Sequence, residues 1–295
     1  MENNVSIAIL DTGVAPVDDL GRRGSRIIAA ADFINNKAYL YDDNGHGTHV
    51  AGIAAGDGFL SQGRHVGVAP RANIVSVKVL DDAGRGKATD ALAGIQWIID
   101  NSERYNIRVA NLSIGTFDSG STDPLVRAVE AAWDCGIVMV IAAGNNGPER
   151  QSITSPGTSR KVITVGAIDD DNAVDVGGST VKNFSGRGPT LECIVKPDFV
   201  ATGCGVVAVK SNSSEMSAAR RAKLKVVDEH YVQMSGTSMA SPQIAGAVAL
   251  MLTIRPQLTP DEVKLRLKHS AVDMRFSPNK QGWGMPCIER LLADL

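Results

Sequence analysis

The chain is poor in cysteine, aromatic residues and excess charge. Its four cysteines, Cys135, Cys193, Cys204 and Cys287, contain no Cys-x-x-Cys pair, so the usual zinc and thiol-redox spacings are missing. Scattered in this way, they are expected as free thiols in a reducing compartment. A net charge of −2 with no basic block argues against a nucleic-acid partner. The start, Met1-Glu2-Asn3-Asn4-Val5, shows no basic and then apolar leader, so no signal peptide is visible and a soluble, cytoplasmic protein is expected. The longest apolar stretches, Ile137 to Ala143 and Ile244 to Ile254, fall short of the ~20 residues a bilayer span needs, so no membrane partner is expected. No Gly-x-Gly-x-x-Gly follows the first strand and no Walker pattern occurs, which leaves a nucleotide-binding reading without support.

What is abundant is apolar residues, at 43%, and glycine, at 30 positions. That suits a large core with backbones closely approaching each other or a substrate. Strand patterns fall at Val5–Leu10, Arg26–Phe33, Asn73–Leu80, Val109–Gly115, Ile137–Ala143, Lys161–Ile168 and Gly205–Val209. Helices are predicted from Lys87 to Asn101, from Asp123-Pro124 to Gly136, and from the Thr259-Pro260-Asp261-Glu262 capping box to Ser270. Ser211 to Glu229 reads as a surface insertion with solvated charges and a helical piece from Ala218 to Val227; a last short helix ends near Leu295. With no linker or repeat, the pattern predicts one α/β domain over residues 1–295. It would be doubly wound around a mostly parallel sheet, with helices on both faces.

Three local patterns carry candidate chemistry. Tyr231-Val232-Gln233-Met234 leads through Gly236-Thr237-Ser238-Met239-Ala240-Ser241-Pro242 into an apolar helix. Ser238 is open to two readings: an ordinary N-cap, or a nucleophile at a helix start where unpaired N–H groups favour developing negative charge. Asp11 ends the first strand, as a turn residue or as a site carboxylate at a sheet's carboxyl edge. His46 lies at a helix start with His49 at i+3. A histidine base fits better than zinc, because no Glu or Cys partner flanks the pair. Asn145, after the strand ending in Ala142-Ala143-Gly144, is a turn residue or an oxyanion donor.

Asp11-Thr12-Gly13, His46-Gly47-Thr48-His49-Val50-Ala51-Gly52 and Gly236 to Pro242 together resemble the three signature blocks of the subtilisin-like serine proteases. Their chain order, Asp then His then Ser, is also the one recorded for subtilisin. Asn111-Leu112-Ser113-Ile114-Gly115 and Ala142-Ala143-Gly144-Asn145 look like two further blocks of that family. Asp42 to His46, Asp123 to Glu130 and Thr259 to Lys264 are similar to its AprX-type intracellular alkaline members. The resemblance runs from Val5 to about Ile288 and implies a serine endopeptidase. Ser238 would be its nucleophile, His46 its general base and Asp11 the orienting acid, with Asn145 in the oxyanion hole.

It further implies that Gly84-Arg85-Gly86 and Ser113-Ile114-Gly115 sandwich an extended substrate. Ala142-Ala143-Gly144, with Thr154 as floor, would line a slot for large apolar or aromatic side chains. Protein or peptide substrates are the implied partners, with the chain's own propeptide or a protein inhibitor besides. The alternative is a catalytically silent homologue that binds peptides. No cofactor is required by the implied chemistry. Gly56 to His65 lacks the Asn-rich calcium loop of secreted members, which leaves a weaker structural calcium site expected near Gly157, Val162 and Asp198. Only ten residues precede Asp11, so the sequence reads either as a mature core or as a chain that folds without a propeptide.

Overall fold

The computed structural model describes residues 4–116, 122–176 and 178–293. Seven strands form one parallel sheet: β1 (Ser6–Asp11), β2 (Ile27–Asp32), β3 (Asn73–Lys78), β4 (Ile107–Leu112), β5 (Val138–Ala142), β6 (Ile163–Ala167) and, past the hairpin β7 (Val174–Val176) and β8 (Ser179–Val181), β9 (Phe199–Ala201). Their order is β2-β3-β1-β4-β5-β6-β9, and every pair is parallel. β1, β5 and β6 are buried along their whole length, which is why they read as unbroken apolar runs rather than as alternation. Strand order reverses between β1 and β4, where an open α/β sheet leaves a crevice at its carboxyl edge.

The helices are α1 (His46–Ala55), α2 (Ala88–Asp100), α3 (Pro124–Asp134), α4 (Ala218–Arg221), α5 (Thr237–Ile254), α6 (Pro260–Ser270), α7 (Pro278–Gln281) and α8 (Ile288–Ala293). The end of the chain near Leu295, where the last helix was expected to stop, lies outside the described residues. α1 packs on α5 and α2 on α3, the two pairs lying against the sheet. α5 is long and apolar enough by composition to cross a bilayer, but 78% of it is buried within the protein. It is a core helix, longer than the Ile244 to Ile254 run suggested. All four cysteines are free thiols.

Two stretches go beyond what the sequence pattern placed. The strand before the serine turn, β12 (Tyr231–Met234), is not in the main sheet. It pairs antiparallel with β10 (Val206–Val209) and β11 (Lys225–Val226) in a small second sheet. The helix read over Ala218 to Val227 stops at Arg221, and the chain then enters β11. β13 (Ala271–Val272) and β14 (Met285–Pro286) close a short antiparallel pair near the C-terminus.

Candidate active site

Asp11 is the last residue of β1 and fully buried, so its carboxylate must be satisfied inside the protein. Its Oδ1 accepts the Thr12 N–H at 2.7 Å, and its two oxygens lie 2.8 and 2.9 Å from His46 Nδ1. His46 opens α1, and its side chain stays partly open. Burial alone would lower the imidazole's pKa. The Asp11 charge and hydrogen bond outweigh it, with Asp42 adding to them, and the net shift is upward. The Nδ1–H is thereby held toward Asp11, leaving Nε2 for the cleft.

The order around His46 comes from Asp42, whose carboxylate is fully buried. Oδ1 accepts Thr12 Oγ1 at 2.8 Å, Gly45 N at 2.8 Å and Asn44 N at 3.1 Å. Oδ2 accepts Thr48 N at 2.8 Å and Thr48 Oγ1 at 2.6 Å. One anion at the start of α1 thus ties the end of β1 to the first turn of the helix that carries His46. Behind it, the buried Lys78 ammonium donates to Thr12 O, Leu80 O and Asp43 Oδ1 at 2.7–2.8 Å. His49, the alternative candidate, bonds Val206 O and Val232 O through Nε2. Burial, reinforced by the His46 charge, lowers its pKa to about 3, so it is a neutral structural histidine, neither base nor metal ligand.

Ser238 is the second residue of α5 and 9% exposed. Gly236 before it sits at φ 145°, a conformation that favours glycine, and makes the turn into the helix. The Ser238 N–H is among the first helical donors, which have no intrahelical acceptor. Asn145 Oδ1 accepts Thr237 N at 2.9 Å and Thr237 Oγ1 at 3.0 Å. This fixes the amide so that its Nδ2 remains available, and Asn145 is exposed. Ser113 Oγ lies 3.3 Å from Ser241 Oγ, tying the end of β4 to the same helix start. Among the described residues, no hydrogen bond joins Ser238 to His46; such contacts are commonly long in substrate-free sites and tighten on binding.

The expected substrate edges face each other. Leu80, Gly84, Arg85, Gly86 and Ala88 line a cavity of about 380 Å³ together with Ser113, Ile114, Gly115 and Leu125. Of the residues expected to line the slot, Ala142, Ala143 and Thr154 are buried, and the Thr154 N–H bonds Ala143 O at 3.0 Å. Thr154 fits between Gly115 and Gly144, where an added Cβ would meet its side chain at 2.2 and 2.6 Å.

The oxygens expected around a weak calcium ion are already bonded. Asp198 receives Lys196 Nζ at 2.6 Å and Lys264 Nζ at 3.0 Å, and Val162 O accepts from both ammonium groups at 3.1 and 2.8 Å. Gly157 O is taken by Thr164 Oγ1 at 2.6 Å. Two lysine amino groups occupy those oxygens, and among the described residues no cluster of His, Cys, Asp or Glu could hold a metal.

Sequence reasoning passed over Asp42, Asn44, Lys78 and Arg220. Two aspartates and an asparagine, Asp42-Asp43-Asn44, just before Gly45-His46, and a lysine ending an apolar strand were the available signals.

An open parallel sheet thus carries a carboxylate–imidazole pair at one strand end and, at another, an asparagine beside a helix-start serine. The subtilase family model matches residues 2–284. The chain is 46% identical over 288 residues to serine protease AprX of Bacillus subtilis, covering 95% of this chain and 64% of that protein. It is 34% identical to the thermostable alkaline protease of Halalkalibacterium halodurans, covering 96% of this chain and 66% of that one, and 34% identical to subtilisin DY of Bacillus licheniformis, covering 92% and 85%. The chain therefore spans about two thirds of the length of the first two relatives. Among solved structures, sphericase superposes with a TM-score of 0.76 at 28% identity, covering 97% of this chain and 91% of that one. The chain belongs to the subtilase family.

Proposed function

We propose that the protein is a serine endopeptidase that cleaves peptide bonds through an acyl-enzyme. The observation that carries this reading is the Asp11–His46 pair at the same sheet edge as a helix-start serine bonded to Asn145 through its turn. Ser238 Oγ attacks the scissile carbonyl while His46 Nε2 takes its proton, and the imidazolium then gives that proton to the leaving amine. Asp11 holds the tautomer and stabilises the imidazolium. Asn145 Nδ2 and the Ser238 N–H receive the oxyanion. Water then repeats the cycle on the ester. These side chains complete the proton and charge balance, so the chemistry requires no cofactor.

A substrate strand adds between Gly84–Gly86 and Ser113–Gly115, its backbone supplying affinity independent of side chains. The residue before the scissile bond enters the slot of Ala142, Ala143, Gly144 and Thr154, which favours large apolar and aromatic groups. Substrates are proteins and peptides; a propeptide or proteinaceous inhibitor would occupy the same strand position. The four free thiols support a reducing, cytoplasmic location, which cell fractionation tests.

A fluorophosphonate probe tests the mechanism, because only an activated serine reacts. Wild type should label and both Ser238→Ala and His46→Ala should not. Labelling that persists in Ser238→Ala would refute the assignment.

A further inference from the structure

The segment between β10 and β12 is exposed over much of its length, as its composition suggests, but several of its residues are tied inward. Ser211 Oγ donates to Asp42 O at 2.9 Å, Met216 is buried against Gly45, and Glu215 pairs with Lys37 and Tyr39. The segment is thereby fastened to the loop that leads into His46. Within it Ser217 Oγ caps the Arg220 N–H at 3.2 Å, and Arg221 folds back onto Ser213 O and Met216 O. That leaves Arg220 pointing inward. Its Nε donates to Asn44 O at 2.8 Å and its Nη2 to Asn44 Oδ1 at 2.9 Å, a forked grip that a lysine cannot copy.

Asn44 is a junction. Its Oδ1 also accepts the His46 N–H at 3.2 Å, and its Nδ2 donates to Asp82 O at 2.8 Å in the loop that presents Gly84–Gly86 to substrate. Buried at 4% exposure, it has little freedom of its own. Its side-chain orientation is set by what holds it, and Arg220 grips both its Oδ1 and its backbone carbonyl.

We propose that Arg220 is a positioning residue of the active site, acting through Asn44 to fix both the start of the His46 helix and the adjoining substrate edge. This rests on His46 being the general base. The guanidinium also adds a cation to the electrostatics of that base. Asp11 and Asp42 act on His46 as anions, His49 beside it is neutral, and Arg220 acts on it as a cation that favours the neutral imidazole. Arg220 forms no salt bridge among the described residues. Burial lowers its own pKa, with only Asp42 opposing through space.

The test uses Arg220→Met, Arg220→Lys, Asn44→Ala and the Arg220→Met/Asn44→Ala double variant, with kcat and KM measured against pH on a peptide anilide. Wild type and Ser238→Ala run alongside. Arg220→Met should lose about tenfold in kcat/KM, in line with the cost of displacing catalytic groups by a fraction of an ångström. Its acid limb should move up by about half a pH unit, because a charge several ångströms away in a mixed dielectric has been removed. Arg220→Lys should keep the wild-type acid limb yet not recover the rate, since one ammonium cannot make the fork. With Asn44→Ala already present, Arg220→Met should cost less than about twofold further.

A wild-type rate and pH profile in Arg220→Met would overturn the proposal. So would an equal loss in the Asn44→Ala background, or a loss confined to thermal stability. An inactive wild type, or an active Ser238→Ala, would instead bring down the peptidase reading and this proposal with it.

Discussion

Asp42→Asn probes the site's framework more severely than its single atom change suggests. The carboxylate accepts five hydrogen bonds while fully buried: from Thr12 Oγ1, Asn44 N, Gly45 N, Thr48 N and Thr48 Oγ1. An amide has one oxygen, and whichever way it turns, its NH₂ faces donors on the other side. If the oxygen stays toward Thr12, Asn44 and Gly45, the two Thr48 bonds are lost and two buried donors confront the amide. Hydrogen bonds to a charged acceptor contribute about 1.5–3 kcal/mol each, so a loss of roughly 3–6 kcal/mol is expected. Thr48 is in the first turn of α1, so His46 moves with it. A misplacement of about 1 Å costs on the order of 10² in rate. Urea unfolding of Asp42→Asn in a Ser238→Ala background reads the stability without self-digestion. Peptide hydrolysis in the active background reads the rate. A variant within about 1 kcal/mol of its parent, with an unchanged rate, would refute the view that this carboxylate organises the site.

Further outcomes follow from the same geometry. Asn145→Ala should lower kcat by about 10²–10³ with little change in KM, a figure that belongs to the equivalent donor of subtilisin itself rather than to this structure; a purely KM effect would count against the oxyanion role. Thr154→Gly should deepen the slot and raise the preference for Phe over Ala before the scissile bond by about tenfold, read as the ratio of kcat/KM values. Because Asp11 raises the His46 pKa, the neutral base is lost as pH falls through a value above that of free histidine, and the acid limb of kcat/KM should lie there. Lys196 is pushed down to about 7 from 10.5, mainly by burial; the unfolded chain therefore holds a proton that the folded one sheds, and stability should climb as pH rises from about 7 to about 10.5. Lys196→Met should flatten that climb in pH-dependent denaturation, and a chelator should leave the wild-type melting temperature within about 1 °C.

The legible parts of this fold were local. Thr259 and Glu262 form the capping box at α6 as their spacing required, and Asp123 caps α3 through the Leu125 N–H with Pro124 at its first position. β1 and β5 announced themselves because strands buried on both faces need apolar residues throughout. The parts missed depend on partners distant in sequence. β12 looks like any β-prone tetrapeptide, and only pairing with β10 and β11 places it outside the main sheet. β9 is three residues long and offers no periodicity to read.

The candidate site divides in the same way. Asp11, His46, Ser238 and Asn145 sit in distinctive local sequences, and the structure gathers their strand ends and helix starts along one sheet edge. Lys196 and Lys264 lie 68 positions apart by their numbering, and nothing local marks them as partners of Asp198. Arg220 was hidden by its surroundings: one arginine in a polar stretch has no signature until Asn44 is seen within its reach.

The most direct test is hydrolysis of a tetrapeptide anilide ending in Phe by wild type and by Ser238→Ala, with casein as a second substrate. The account predicts turnover by wild type that a sulfonyl fluoride abolishes and that Ser238→Ala lacks. A folded wild type inactive on both substrates would contradict it and favour a peptide-binding role for the same cleft.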